Sequence, residues 1–233
     1  MPLITVHAGV TGYAFHANLS IWRWRLGRRS TSAGATWRWD LANTLSRRPT
    51  ADPREDLREY ADLVEWGLQA GSIAPAGGTR CARGPPGAPS GARRPGAGAR
   101  AARAIFAVFS AVAGNRALPA PALDRVNAAL PAALARLRLD RTGALWTWAD
   151  GGDFDRVLWP VVRAAALLLT GPDRQYVREC AARDCAWLFL DRSRNGTRRW
   201  CDMAVCGNRE KARRFQGAVA GVTRRTARSP RRA

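Results

Sequence analysis

The sequence predicts a mainly α-helical protein that contains small β elements and carries a compact cysteine-rich unit near its C-terminus. Three observations support this prediction. Apolar residues recur at helical spacing between residues 57 and 169, two short segments near residue 140 alternate in polarity, and four of the five cysteines lie between residues 180 and 206. With 233 residues and 46% hydrophobic content, the chain is long enough for one packed domain and a small module.

The patterning divides the chain into four segments: a poorly legible N-terminal segment (1–39), a helical domain (40–173), the cysteine-rich unit (174–217) and a basic tail (218–233). Inside the helical domain, residues 74–100 are dominated by Pro, Gly and Arg and show no apolar periodicity. We therefore expect a disordered or loosely ordered loop there, because such a segment buries too little apolar surface to offset its ordering entropy. A reading-frame shift in the gene is the alternative explanation for both 1–39 and 74–100.

The helical domain shows clear start and stop signals. Asp52, Pro53 and Glu55 predict a helix start, with Asp as the N-cap, and Gly71 ends the run. Trp66 falls off the apolar stripe of this helix and is expected at a lid or a partly exposed position. Two further helices are expected to begin at Ala101 and at Pro121. Another is expected to be capped by Asp153 or Asp155 and to run through Leu169. Two short strands are expected at 137–139 and 145–148.

The cysteine spacing predicts a metal site. Cys180 and Cys185 form a first knuckle, Cys201 and Cys206 form a second, and each pair encloses four residues. Zn²⁺ prefers four thiolates at the corners of a tetrahedron, and two such knuckles can supply them. Buried free thiols or two disulfides are the alternatives, but disulfides need an oxidising compartment. We therefore expect one Zn²⁺ per chain, with Cys81 as an unrelated free thiol.

The residues around the knuckles predict a knuckle–hairpin–knuckle–helix arrangement. Residues 186–191 read as a strand, and 193–196 read as a turn that returns through 198–200 to the second knuckle. Gly207 is expected to adopt a positive φ beside the metal, and Asn208 is expected to cap a basic helix over 209–216.

Two motifs resemble known families. The string Trp200-Cys201, Met203 and Cys206-Gly207-Asn208-Arg209 resembles the CGNR zinc finger, and the resemblance extends over about residues 177–216, with Asp202 replacing a small hydroxyl residue. Residues 40–45, Asp-Leu-Ala-Asn-Thr-Leu, resemble the signature of the ABATE domain, which precedes this finger in bacterial proteins described as stress-induced transcription regulators. The resemblance implies zinc binding, DNA binding and a regulatory role.

Asp40, Asn43 and Thr44 are the candidate functional residues of the second motif. An Asn-Thr pair can hydrogen-bond backbone groups of a neighbouring turn and hold the start of the domain in place. Direct contact of Asp40 or Asn43 with a ligand is the alternative.

The charge predicts a polyanionic partner. The formal net charge is +20, and because Lys211 is the one lysine, 37 of the 38 basic residues are arginine. This arginine bias also fits a GC-rich gene, so part of the charge reflects composition. The candidate nucleic-acid contacts near the cysteines are Arg198, Arg199, Arg209, Lys211, Arg213 and Arg214.

The alternative function is a zinc-stabilised protein-interaction or RNA-binding adaptor without sequence-specific DNA binding. The two interpretations differ in one structural feature. Arg209, Arg213 and Arg214 lie on an exposed continuous face if they contact DNA, and are paired with acidic side chains if they do not.

The remaining expectations concern catalysis and location. Four cysteines close the coordination sphere of zinc and leave no open position for catalysis. The sequence contains no arrangement of Ser, His and Asp that suggests a catalytic triad, no phosphate-binding loop and no HExxH motif, so we do not expect an enzyme. No apolar run reaches the length of about 18 to 20 residues that a membrane span needs, and no leader peptide is recognisable, which predicts a cytoplasmic protein without a membrane partner. A small-molecule effector of the helical domain and a homodimer are further expectations.

Overall fold

The structure, a computed structural model, describes residues 37–73, 96–143, 145–149 and 154–227, with side chains described from residue 40 to residue 219 within those ranges. The expectations for residues 1–36 and 74–95, for Cys81 and Asp153, and for the end of the basic tail lie outside the described residues.

The described elements are short strands and longer helices. The helices are α1 (Trp37–Ala42), α2 (Tyr60–Gln69), α3 (Ala97–Ala113), α4 (Ala120–Ala135), α5 (Trp159–Thr170) and α6 (Asn208–Ala227). The strands are β1 (Leu45–Ser46), β2 (Arg54–Glu55), β3 (Leu137–Leu139), β4 (Trp146–Trp148), β5 (Val177–Glu179) and β6 (Leu188–Leu190), and they pair β1–β2, β3–β4 and β5–β6, each antiparallel. The mainly α fold with small β elements is confirmed.

Helix α3 is the centre of the helical body. It is rich in Ala and apolar residues, and it buries Ile105, Val108 and Phe109 among α1, α2 and α4. Helix α5 packs against α1 and α4 and contributes Val161, Val162 and Leu168 to the same core. Burial of these side chains stabilises the body, at about 1.5–3 kcal/mol for each fully buried aliphatic or aromatic residue.

The first helix of the body starts later than its sequence predicts. Arg54 and Glu55 form β2 and pair with Ser46 and Leu45, so the expected cap at Asp52 is wrong. The helix begins at Tyr60, where Asp62 accepts hydrogen bonds from the backbone N–H groups of Arg58 and Glu59. Trp66 is fully buried, so the prediction of a lid or a partly exposed position is wrong.

Three other helix ends differ from the sequence-based expectation. Residues 97–100, predicted to belong to a loop, form the first turn of α3, because its alanine-rich sequence packs directly onto the body. Helix α5 follows a 3₁₀ turn at Phe154–Val157 and begins at Trp159 instead of being capped by Asp155. Helix α6 continues to Ala227 through much of the predicted tail.

The β5–β6 hairpin joins the cysteine-rich unit to the helical body. Strand β6 pairs with β5, which precedes the first knuckle, and not with the returning segment 198–200 that the sequence suggested. Val177 and Leu188 lie in the main core beside α3, while Phe189 packs against the cysteines. One face of this short hairpin therefore packs on the helical body, and the other packs on the cysteine-rich unit.

Candidate metal centre and the basic surface around it

Four cysteine sulfurs converge on one point of the C-terminal unit. The Sγ atoms of Cys180, Cys185, Cys201 and Cys206 all lie within 4.8 Å of one another. The Cys185–Cys201 and Cys201–Cys206 Sγ distances are both 3.6 Å. All four cysteines are free, and Cys201 is the one that is only partly buried.

This arrangement fits a tetrahedral zinc site. A Zn–S bond of about 2.3 Å places neighbouring sulfurs about 3.8 Å apart in a tetrahedron, close to the distances observed here. Two separate disulfides would need two isolated pairs at about 2.05 Å, whereas a single cluster of four is found. The thiols already contact one another, since the sulfur of Cys201 lies within hydrogen-bonding distance of those of Cys185 and Cys206.

The first knuckle is held in place by two arginines from α6. Arg209 donates to the Sγ of Cys206 at 3.2 Å and forms an ion pair with Asp184 at 3.1 Å. Arg213 bonds to the other carboxylate oxygen of Asp184 at 2.7 Å. Burial raises the pKa of Asp184, but the hydrogen bond from Arg213 and the charge of Arg209 outweigh it, so the pKa lies below its ordinary value.

Glu210 completes this network. It accepts a hydrogen bond from the backbone N–H of Arg183 at 3.2 Å and forms an ion pair with Arg213 at 2.5 Å. The bond from Arg183 is the main reason that the pKa of Glu210 is lowered. Glu210 thus ties the tip of the first knuckle to the first turn of α6.

The second knuckle is a π-helical turn, Met203–Gly207, that leads directly into α6. Its cap is Asp202, which accepts a hydrogen bond from the Val205 N–H at 2.8 Å, and Asn208 is already helical. Gly207 has no positive φ, so the prediction that it adopts a positive φ beside the metal is wrong. A Cβ at this position would instead lie 2.4 Å from the Sδ of Met203.

A buried aspartate shapes the loop between β6 and the second knuckle. Asp191 is 1% exposed and accepts hydrogen bonds from the N–H and Oγ–H of Ser193 and from the N–H of Arg198. Burial raises the pKa of Asp191, but these bonds outweigh it and hold the pKa below its ordinary value. Asp184, Glu210 and Asp191 are not among the functional residues predicted from the sequence, although an acidic residue inside an arginine-rich module is a usable signal.

Asn43 connects the N-terminal motif to the zinc-binding unit. Its Nδ2 donates to the carbonyl of Leu188 at 3.0 Å, and its Oδ1 accepts from the N–H of Leu188 at 2.9 Å. Asn43 and Leu188 are both buried. The side chain therefore binds backbone 145 residues away.

The other two residues of the motif have different surroundings. Thr44 donates from Oγ1 to the Leu41 carbonyl at 2.7 Å, which closes the turn after α1. Asp40 is partly buried, and burial raises its pKa to about 7. The structure thus brings Asn43 to the zinc-binding unit and leaves Asp40 and Thr44 in the helical body.

Comparison with known families agrees with this architecture. Residues 37–172 match the ABATE family, whose description is "Putative stress-induced transcription regulator". The chain belongs to the ABATE family. Residues 176–217 of this ABATE protein match the CGNR zinc finger, and together with the four convergent sulfurs this match assigns one Zn²⁺ to the site. A comparison with curated proteins found no significant match.

The predicted nucleic-acid contacts of this ABATE protein fall into two groups. Arg209 and Arg213 are paired with acids, and Arg198 donates to the backbone carbonyls of Trp200 and Cys201, so these three guanidiniums stabilise the module itself. Arg199, Lys211 and Arg214 are exposed, and the structure gives Lys211 and Arg214 no ion pair within the described ranges. Among the helices within those ranges, none combines the length and apolar character needed to cross a bilayer.

Proposed function

We propose that this protein is a non-enzymatic transcription regulator that binds DNA through the surface of its zinc finger. The zinc ion has a structural role in this proposal, because four thiolates leave no coordination position for water or substrate. The helical body is the part that would receive a signal or dimerise. A small-molecule effector, a homodimer and a cytoplasmic location stay predictions.

One observation carries the proposal: the acidic side chains of the C-terminal unit are all engaged within the protein. Residues 178–233 contain fifteen basic and five acidic side chains. Asp184 and Glu210 pair with arginines, Asp191 is buried and Asp202 caps the π-helical turn. The fifth, Glu179, accepts a hydrogen bond from Ser110 of α3 at 2.6 Å. The outward charge of the module is therefore basic, as expected for a surface that binds phosphates.

The test is binding of the full chain to duplex DNA, followed by fluorescence anisotropy over a salt series with and without a zinc chelator. The full chain is needed because β5 and β6 complete their core with the helical body. We expect affinity to fall steeply as salt rises and to be lost when zinc is removed. Binding that persists with the chelator would assign the affinity to the basic tail, and lack of binding at low salt would refute the proposal.

A second candidate, a protein-interaction adaptor, is supported by the pairing of Arg209 and Arg213 with acidic side chains and by exposed apolar residues of the same unit. Phe215 is 72% exposed and Met203 is 51% exposed. Exposed apolar side chains surrounded by polar ones are typical of protein contact sites. This candidate would be preferred if the zinc-loaded chain failed to bind DNA and Phe215→Ser abolished a measured association with another protein.

A further inference from the structure

The first knuckle places an arginine at its outermost point. Arg183 lies between the two cysteines of the first knuckle, inside a tight turn closed by the Cys185 N–H and the Ala182 carbonyl at 3.1 Å. Its backbone N–H is used by Glu210, but its side chain is exposed and has no ion pair among the described residues. The Arg183 side chain is thus exposed on a hydrogen-bonded turn between two of the four clustered cysteines.

Arg199 lies beside this turn. The N–H of Ala181 donates to the carbonyl of Arg199 at 2.9 Å, which holds the returning segment against the first knuckle. The Arg199 side chain is exposed and leans toward the Trp200 ring, with its Cζ 5.7 Å from the ring centroid. The backbone contact therefore places a second exposed arginine next to the first knuckle.

A third exposed arginine, Arg214, lies on α6. It lies one helical turn after Glu210, and residues four apart project from the same side of a helix. Glu210 contacts the backbone of Arg183, and the neighbouring Arg213 contacts Asp184, so this side of α6 faces the first knuckle. Arg214 therefore starts from the edge of the α6 face that meets the first knuckle.

We propose that Arg183, Arg199 and Arg214 form the phosphate-contacting ridge of the finger, and that Arg209 and Arg213 are positioning residues that hold the knuckles together. This inference rests on the proposed DNA-binding function and specifies its surface. Arg209 and Arg213 form ion pairs with Asp184 and Glu210, whereas the three ridge arginines are exposed and form no ion pair among the described residues. The partner is the sugar–phosphate backbone of duplex DNA, which fixes orientation without reading sequence.

The experiment measures the salt dependence of DNA binding for single Arg→Gln variants of the zinc-loaded full chain. Each phosphate contact contributes about 0.9 to the slope of log affinity against log salt. We expect Arg183→Gln, Arg199→Gln and Arg214→Gln each to reduce the slope by about one and the affinity at 0.1 M salt about eightfold. The matched control is Arg125→Gln on the exposed surface of α4, which should change neither.

The positioning residues give a different result. Arg209→Gln and Arg213→Gln should release zinc faster to a chelator and leave the slope of the zinc-loaded form unchanged. Arg183→Lys should keep the slope, because lysine retains the positive charge that a phosphate contact needs. A slope that falls in Arg209→Gln or Arg213→Gln but not in the ridge variants would overturn the assignment.

Failure of this inference can be told from failure of the proposed function. If the wild-type chain binds DNA in a zinc-dependent manner and the three ridge variants keep its slope, the surface is wrong and the function stands. If the wild-type chain does not bind DNA at all, the proposed function fails and the ridge with it.

Discussion

Replacement of Asn43 by alanine tests whether the N-terminal motif holds the zinc-binding unit on the helical body. Backbone bonds join Cys180 N–H to the Trp187 carbonyl and Asp191 N–H to the Tyr176 carbonyl. Hydrogen-bonded pairs alternate along an antiparallel ladder, so the N–H and C=O of Leu188 point away from β5. Asn43 satisfies both groups, at 2.9 and 3.0 Å.

The expected cost follows from these two hydrogen bonds. Leu188 is 2% exposed, so water cannot replace the lost amide without opening the structure. A buried backbone group left without a partner costs about 1–3 kcal/mol, so the loss of both partners gives about 2–6 kcal/mol for Asn43→Ala. With a urea m-value of about 2 kcal/mol/M, the unfolding midpoint should fall by roughly 1–3 M.

The assay follows urea unfolding of the zinc-loaded chain by two probes. Far-UV circular dichroism reports the helices, and a chromogenic chelator reports zinc release. Both transitions should move together to lower urea in Asn43→Ala, since Leu188 lies in the main core beside the zinc-binding unit. The control is Asn127→Ala, at an exposed site on α4, which should shift the free energy of unfolding by less than about 0.5 kcal/mol. An equally small shift in Asn43→Ala would refute the reasoning.

Three further predictions concern the metal site, its glycine and the buried acid. Cys206→Ser should lower the zinc content from about one per chain to near zero by elemental analysis, and full retention would contradict the ligand assignment. Gly207→Ala should destabilise the chain by less than about 1 kcal/mol, because the Cβ would meet the Sδ of Met203, which ends a flexible, half-exposed side chain that can rotate away, and a larger loss measured by urea unfolding would contradict this. Asp40, with its pKa raised from 3.8 to about 7, binds a proton more tightly when folded, so wild-type stability falls as pH rises through this interval. The stability advantage of Asp40→Asn should therefore grow by up to about 2 kcal/mol between pH 5.5 and 7, and a constant difference would show that Asp40 does not titrate there.

Local patterns in the sequence predicted the parts of this protein that depend on local chemistry. Four cysteines at knuckle spacing indicate a zinc site because two short turns can bring their thiolates to one ion. The β3–β4 pair also followed from alternating polarity in the sequence. The start of α2 was missed, because pairing of Arg54–Glu55 with Leu45–Ser46 overrides the helix-start signal at Asp52.

Only the tertiary structure decided which charged and polar groups are available for binding. Arg209 and Arg214 look equivalent in the sequence, yet one is paired with Asp184 and the other is exposed. Asn43 and Leu188 are 145 residues apart, and no sequence periodicity links them. Metal-ligand spacing and helical periodicity act over a few residues, whereas the neutralisation of a charge or the pairing of a backbone group depends on whatever the fold brings alongside it. The sequence by itself therefore determined the zinc site and the helical fold class, and the folded structure determined the docking of the finger and the face that carries its unpaired charge.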